Sequence, residues 1–294
     1  MKRFFMRVAF AVLLIGMVSV CVNGKELIPV GQIVGLELRD GSVTVASFDE
    51  ELGAGCQEAG VRIGDEICMI DGVQIRSSGD IRKALSQSDG AVKVTVSRNG
   101  KLHEIRLQPK ITKDGPKLGV YLRQGVTGIG TVTWYDSETG NFGTLGHGVN
   151  DTKGKLLTMT EGKAYDARVL AVRKGKAGEP GQLMGTVERL EPIGDLKKNT
   201  PQGVFGKSAE GWEGKLYSVA ETSQIRTGEA TILSTVSGED TREYSVEILK
   251  IYPKSKQTGR NMLIHVTDPA LLEATGGIVQ GMGVSYNKDN QVNP

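Results

Sequence analysis

His147 stands between Gly146 and Gly148, with Asp151 four residues further on. Glycines on both sides leave an imidazole uncovered and let the backbone turn freely around it. At the end of a strand, this is where a β-barrel hydrolase would keep a general base. A lone histidine beside a loop is also a common hydrogen-bonded structural residue, and its neighbours must decide between the two. Asp151 reads as a local turn or supporting residue. His103 and His265 alternate within strand-like runs and form no constellation. Cys56 and Cys68 have no histidine near them in sequence and no metal-ligand spacing. They are open to a disulfide in an oxidising compartment or to two free thiols. No metal and no cofactor is implied.

The elements that would hold His147 are short strands. Residues 128–135 alternate, Asp136 to Gly140 carry turn chemistry, and residues 141–145 return, which predicts a β-hairpin leading into the histidine loop. With 40 glycines, 5% aromatic residues and a net charge of +2, the 294-residue chain favours mostly-β structure. The near-balanced charge gives no reason to expect nucleic acid as a partner. At the N-terminus, Lys2, Arg3 and Arg7 accompany an apolar run over residues 8–20. Residues 1–24 therefore read as a signal peptide or membrane anchor, which places the protein outside the cytoplasm.

Residues 29–109 read as one compact β-rich module. A strand is predicted over residues 36–38 and another over residues 41–48. Ser78 is positioned to cap a helix over residues 80–88, with Ile81, Ala84 and Leu85 as its apolar stripe. Strands over residues 92–97 and 102–107 flank the turn Arg98, Asn99, Gly100. With the spacing of residues 59–67 and of Ile70, Asp71 and Gly72, the succession resembles a PDZ domain. The resemblance implies a groove that receives a peptide C-terminus. It nominates Gly31, Gln32, Ile33, Val34 and Gly35 as the carboxylate-binding loop.

A linker over residues 110–115 leads into the rest of the chain, residues 110–294. Strands are expected over residues 167–173, 216–220, 230–236, 244–252 and 261–267. Residues 174–181 and 197–202 read as polar connections. His147 with Asp151, the run Thr267, Asp268, Pro269, and residues 276–282 (Gly-Gly-Ile-Val-Gln-Gly-Met) together resemble the stage IV sporulation protein B family. These are secreted serine endopeptidases with a PDZ domain. The resemblance implies a trypsin-like double β-barrel and catalytic residues in the order histidine, aspartate, serine. His147 would be the general base and Asp268 the residue orienting the imidazole. Asp268 also precedes Pro269 and a short apolar run, the pattern of a helix N-cap, and both roles fit one residue.

The sequence departs from the family at the nucleophile. The family pattern after Gly-Met is Ser-Gly-Ser-Pro, whereas here Gly283, Val284, Ser285 and Tyr286 follow Met282. Gly283 occupies the nucleophile slot. Ser285 is the nearest hydroxyl, but two residues displace it by about 6–7 Å in an extended chain. Residues 287–294 look polar and irregular, and the strands that complete the family's second barrel are expected to be missing. The overall expectation is a mostly-β chain, with a PDZ domain followed by a double barrel whose second half is incomplete. Its function is that of a sporulation endopeptidase cleaving a membrane-associated regulator, impaired in this copy. The alternatives are a non-enzymatic PDZ scaffold and a frameshifted gene fragment.

Overall fold

The computed structural model describes residues 25–151, 154–176, 179, 181–221, 223–252, 261–277, 279–280, 284–287 and 291–293. Residues 1–24, expected to be a signal peptide or membrane anchor, and the Met282–Gly283 pair lie outside the described residues. The chain opens with β1 (Glu26–Pro29) and β2 (Ile33–Arg39). Next come β3 (Thr44–Phe48), α1 (Ala54–Glu58), β4 (Glu66–Ile70), β5 (Val73–Gln74), α2 (Ser78–Ser86), β6 (Val92–Arg98), β7 (Lys101–Leu107), β8 (Lys110–Thr112), β9 (Gly115–Lys117) and β10 (Val120–Arg123). They are followed by β11 (Val126–Tyr135), β12 (Asn141–Thr144), β13 (Glu161–Arg173), β14 (Gly181–Thr200) and β15 (Gly203–Ser208). The last elements are β16 (Tyr217–Val219), β17 (Gly228–Thr235), β18 (Thr241–Ile251), β19 (Met262–Val266), α3 (Pro269–Thr275), β20 (Val279–Gln280), β21 (Val284–Asn287) and β22 (Gln291–Asn293).

Strands β12, β15, β14, β13, β2 and β11 pair in that order, and β11 pairs back with β12, so the sheet closes into a barrel. Closure removes most of the free edge that an open sheet would expose. Inside it, Val34, Leu36, Leu38, Val132, Phe142 and Val204 are buried together. The Phe142 ring meets Trp212 edge-on at 5.2 Å, and Trp212 in turn meets Tyr135 at 5.5 Å. Full burial of Phe142 alone contributes about 1.5–3 kcal/mol. The second sheet runs β1, β16, β22, β21, β17, β18, β19, and among the described strands it stays open. Its core joins Ile232, Val246, Ile248 and Val266 to Leu271 of α3.

The PDZ module is not a preceding bead but an insertion between two barrel strands. Its sheet runs β10, β3, β4, β6, β7, over a core extending from Val43 to Leu118, with Val120 and Leu122 packed on it. The module leaves the barrel after β2 and returns at β11, where Val126 is the register partner of Leu38. Both ends of the insertion therefore sit on hydrogen-bonded neighbours, so the module can be accommodated without opening the barrel. This differs from the expected boundaries of residues 29–109. Residues 33–39 belong to the barrel, while β10, beyond the expected linker, completes the PDZ sheet by pairing with β3.

Several local expectations are met. The turn Asn99–Gly100 has φ of 52° and 75°, the left-handed pair that joins β6 to β7 as a tight hairpin. The β11–β12 hairpin forms around Asp136, whose N–H donates to Asn141 O at 2.8 Å and whose Oδ1 accepts from Glu138 N at 3.1 Å. The α2 helix starts two positions earlier than expected, with Ser77 in place of Ser78 as the cap accepting from Asp80 N. Cys56 is buried and free, its thiol pushed up to about 11 by that burial, and Cys68 is free as well.

Two stretches differ from the sequence reading. The longest strand, β14, has 20 residues, runs through Gly185, Pro192 and Gly194, and takes in residues 197–200 of an expected polar connection. It survives as a strand because its pairing with β13 shifts register, leaving Pro192 opposite Tyr165. The polar tail also contains a strand: β22 pairs parallel with β16 and antiparallel with β21. Among the described residues, no helix is long and apolar enough to cross a membrane.

Candidate active site and peptide groove

His147 lies in the loop that follows β12, exposed at the barrel mouth. At the end of β12, Leu145 takes φ of 60°, a left-handed conformation uncommon for a branched residue, and turns the chain out of the sheet. Gly148 is required by packing. A Cβ there would lie 2.3 Å from Leu156 Cδ1 and 2.6 Å from Thr200 O. Asn199 of β14 holds the far side of the loop. Its Oδ1 accepts from Val149 N at 2.9 Å, and its Nδ2 donates to Val149 O and Leu157 O at 2.8 and 2.9 Å. Sequence reasoning passed over Asn199 because it sat in a stretch read as a polar connection. The imidazole Nδ1 lies 3.0 Å from Gly148 O. A carbonyl can only accept, so this contact places the proton on Nδ1 and leaves Nε2 as the basic nitrogen. Asp151 has the turn role expected of it, with Oδ1 accepting from Lys155 N at 3.0 Å.

His147 borders a cavity of about 390 Å³. Apolar side chains of β2 and β11 form its floor, and Gln182 and Leu183 of β14 line it as well. The C-terminal motif approaches from the same side. β20 pairs parallel with the start of β14, with Val279 opposite Gly181 and Gln280 opposite Gln182. A residue of the cavity wall is thus the register partner of the residue that precedes Gly281.

Asp268 is the N-cap of α3. Its Oδ1 accepts from Leu271 N at 3.0 Å, and Pro269 follows at the first helical position. Among the described residues, no hydrogen bond joins Asp268 to His147. Ser285 lies within β21, opposite Ile232 on one side and Asn293 on the other. The structure therefore holds it in a sheet interior rather than in a glycine-rich turn.

The proposed carboxylate loop is corrected by the pairing. Ile33, Val34 and Gly35 are barrel strand, hydrogen-bonded to β11 and β13. Gly31 N donates to Val132 O at 2.8 Å, and Gln32 Oε1 accepts from Trp212 Nε1 at 2.8 Å. Residues buried on both faces suit a central strand and leave no backbone N–H groups to receive a carboxylate. The groove lies instead between α2 and the edge strand β10, a cavity of about 330 Å³. Ile81 and Leu85 line one wall, and Leu118 to Leu122 line the other. The chain enters β10 through Gly119, at φ of 71°, where a Cβ would lie 2.3 Å from Leu52 O. The glycine followed by the alternating run Val120 to Arg123 was the signal that could have located this edge.

The chain is a mostly-β protein in which a PDZ module is set into a β-barrel, with a glycine-flanked histidine at the barrel mouth. The SpoIVB peptidase S55 family model matches residues 114–291, and the PDZ domain model matches residues 33–108. The chain belongs to the SpoIVB peptidase S55 family. It is also similar to proteins named as zinc metalloproteases in Brucella suis biovar 1 and Brucella melitensis biotype 1. Each is 28% identical over 109 residues, covering 37% of this chain and 28% of the relative. The chain thus spans less than a third of the length of these relatives.

Proposed function

We propose that the barrel is the scaffold of a serine endopeptidase in which His147 is the general base. The register pair Gln280–Gln182 carries this reading. Gln182 and His147 line one cavity, and three residues beyond Gln280 span at most about 11 Å. The strand that leads to the family's nucleophile position is thus anchored beside a wall of the cavity that His147 borders, which supports the reading. In this chain that position is Gly283, and Ser285 belongs to a strand. The copy accordingly turns over peptides poorly. Asp268 is the acid by family resemblance, and its cap bond would have to be shared or exchanged when a substrate closes the site.

The test is hydrolysis of unfolded casein by the full chain. Little or no turnover is expected from the chain as it stands, a gain with Gly283→Ser, and loss of that gain when His147→Ala is added. Robust hydrolysis by the unaltered chain that His147→Ala abolishes would overturn the impairment. No gain from a folded Gly283→Ser chain would remove the peptidase reading.

The same reading puts the protein on the extracytoplasmic side, tethered or released through residues 1–24. Its role there would be in intercompartmental signalling during spore formation, cleaving a membrane-associated regulator. The basic residues before the apolar run and the family membership support it. Fractionation of cells making the chain with and without residues 1–24 checks the location. A second reading, a non-catalytic scaffold that captures peptide C-termini, is favoured by the well-formed groove beside Gly119 together with Gly283. It requires C-terminal peptide binding that His147→Ala leaves intact, with no turnover by either chain.

A further inference from the structure

One side of β11 is paired along its length with β1, β2 and the turn between them. On the other side it pairs with β12 only over Val132 to Tyr135, and Leu145 N closes that pairing on Thr131 O. There the β12 chain leaves the sheet for the His147 loop. Among the described residues, no strand pairs with this second edge over residues 126–130. A row of outward N–H and C=O groups is a template for another extended chain.

The side chains beneath that edge are chosen for a neutral occupant. The His147 cavity is lined by Leu36, Leu38, Ile129, Leu145, Val149 and Leu183 among others, and among the described residues no Asp, Glu, Lys or Arg contributes to it. Its space persists because of one glycine. Gly128 and Gly130 face the same way, since alternate residues of a strand share a face. A Cβ on Gly130 would meet Leu145 Cδ2 at 2.7 Å and Leu36 Cδ1 at 2.9 Å, whereas a Cβ on Gly128 would meet nothing within 4 Å. The neighbour opposite Gly128 is Leu36, itself buried. Any side chain at position 128 would grow into the open cavity.

We propose that residues 126–130 of β11 bind an extended peptide segment as an added strand, and that the cavity over Gly128 receives one apolar side chain of that segment. Identifying the segment as a peptidase substrate rests on the proposed function, but the binding itself requires no catalysis. The bond nearest the seated side chain is the one presented to His147. Selection is for Leu-like residues and against charged ones, because a carboxylate would lose water with no Lys or Arg among the described lining residues to pair with it.

The experiment is an amide-shift titration of the ¹⁵N-labelled full chain with Ac-Gly-Ser-X-Ser-Gly-NH2, where X is Leu, Ala or Asp. Blocking the C-terminus keeps the peptide out of a groove that receives a free carboxylate. Saturable shifts at Gly128, Gly130 and His147 are expected for Leu, with Ala roughly tenfold weaker and Asp weaker still. Gly128→Val should abolish Leu binding and Gly128→Ala should reduce it, both with unchanged thermal unfolding. Equal binding of Leu and Asp, or undiminished Leu binding by folded Gly128→Val, overturns the proposal. The Gly283→Ser chain separates the two readings: Leu selectivity that persists in it while casein hydrolysis is absent supports the subsite and counts only against catalysis.

Discussion

Asp268 Oδ1 accepts the backbone N–H of Leu271 at 3.0 Å, so the carboxylate nominated as the catalytic acid is also the cap of α3. The two tasks come apart on substitution. Asparagine caps a helix about as well as aspartate, whereas alanine costs about 1 kcal/mol. Asp268→Asn should therefore unfold within a few tenths of a kcal/mol of the parent, and Asp268→Ala about 1 kcal/mol earlier. In a Gly283→Ser background, Asp268→Asn should also lose casein hydrolysis. Retained hydrolysis would confine Asp268 to capping.

The β11–β12 hairpin should be sensitive to acid. Asp136 is almost fully buried and lies 2.9 Å from Lys25 Nζ. The hydrogen bond from Lys25 comes first among the causes that hold its pKa at about 2, assisted by Thr139. A carboxylate depressed in the fold stabilises it above the ordinary carboxylate range, and that stability is lost as pH falls toward 2. Thermal unfolding followed between pH 5 and pH 2 should show this loss. Asp136→Asn should flatten it, at a cost near neutrality of roughly 1–2 kcal/mol.

Within the PDZ module, Asp65 is fully buried and grips Arg98 through two hydrogen bonds of 2.7 Å, Nε to Oδ1 and Nη2 to Oδ2. Burial raises the Asp65 pKa, but Arg98 and the N–H of Arg62 outweigh it, and the net shift is downward. Arg98→Met would leave a buried carboxylate without its cation. Urea denaturation followed by hydrogen exchange should then show β4 and β6 opening before the barrel strands do. Coincident opening of both units would mean that the pair matters little.

Gly119→Ala should damage the peptide groove selectively. The left-handed backbone there costs a side-chain-bearing residue about 1–2 kcal/mol, before any clash with Leu52 O is counted. Fluorescence anisotropy with free C-terminal peptides and their amidated counterparts should show lost discrimination. Binding of the doubly blocked Leu peptide at β11 should survive.

The histidine loop, the tight hairpins, the capped α3 helix and the PDZ character were legible in the sequence. Each is written in a few adjacent residues: Asn99 and Gly100 at a turn, Asp268 and Pro269 at a helix start, His147 between glycines. Such signals act through local backbone sterics and hydrogen bonds, which depend little on the rest of the chain. Tertiary pairing decided the remainder. Residues 31–35 could have been a glycine-bordered loop, and only their register with β11 and β13 made them barrel wall and moved the peptide groove to β10. The polar residues of β14 became strand because β13 and β15 supplied partners for their backbone groups. Insertion of one domain within the other, the register pairing of Gln280 with Gln182, and the space above Gly128 all join residues distant in sequence. They arise from strand order and packing, which local propensity does not encode.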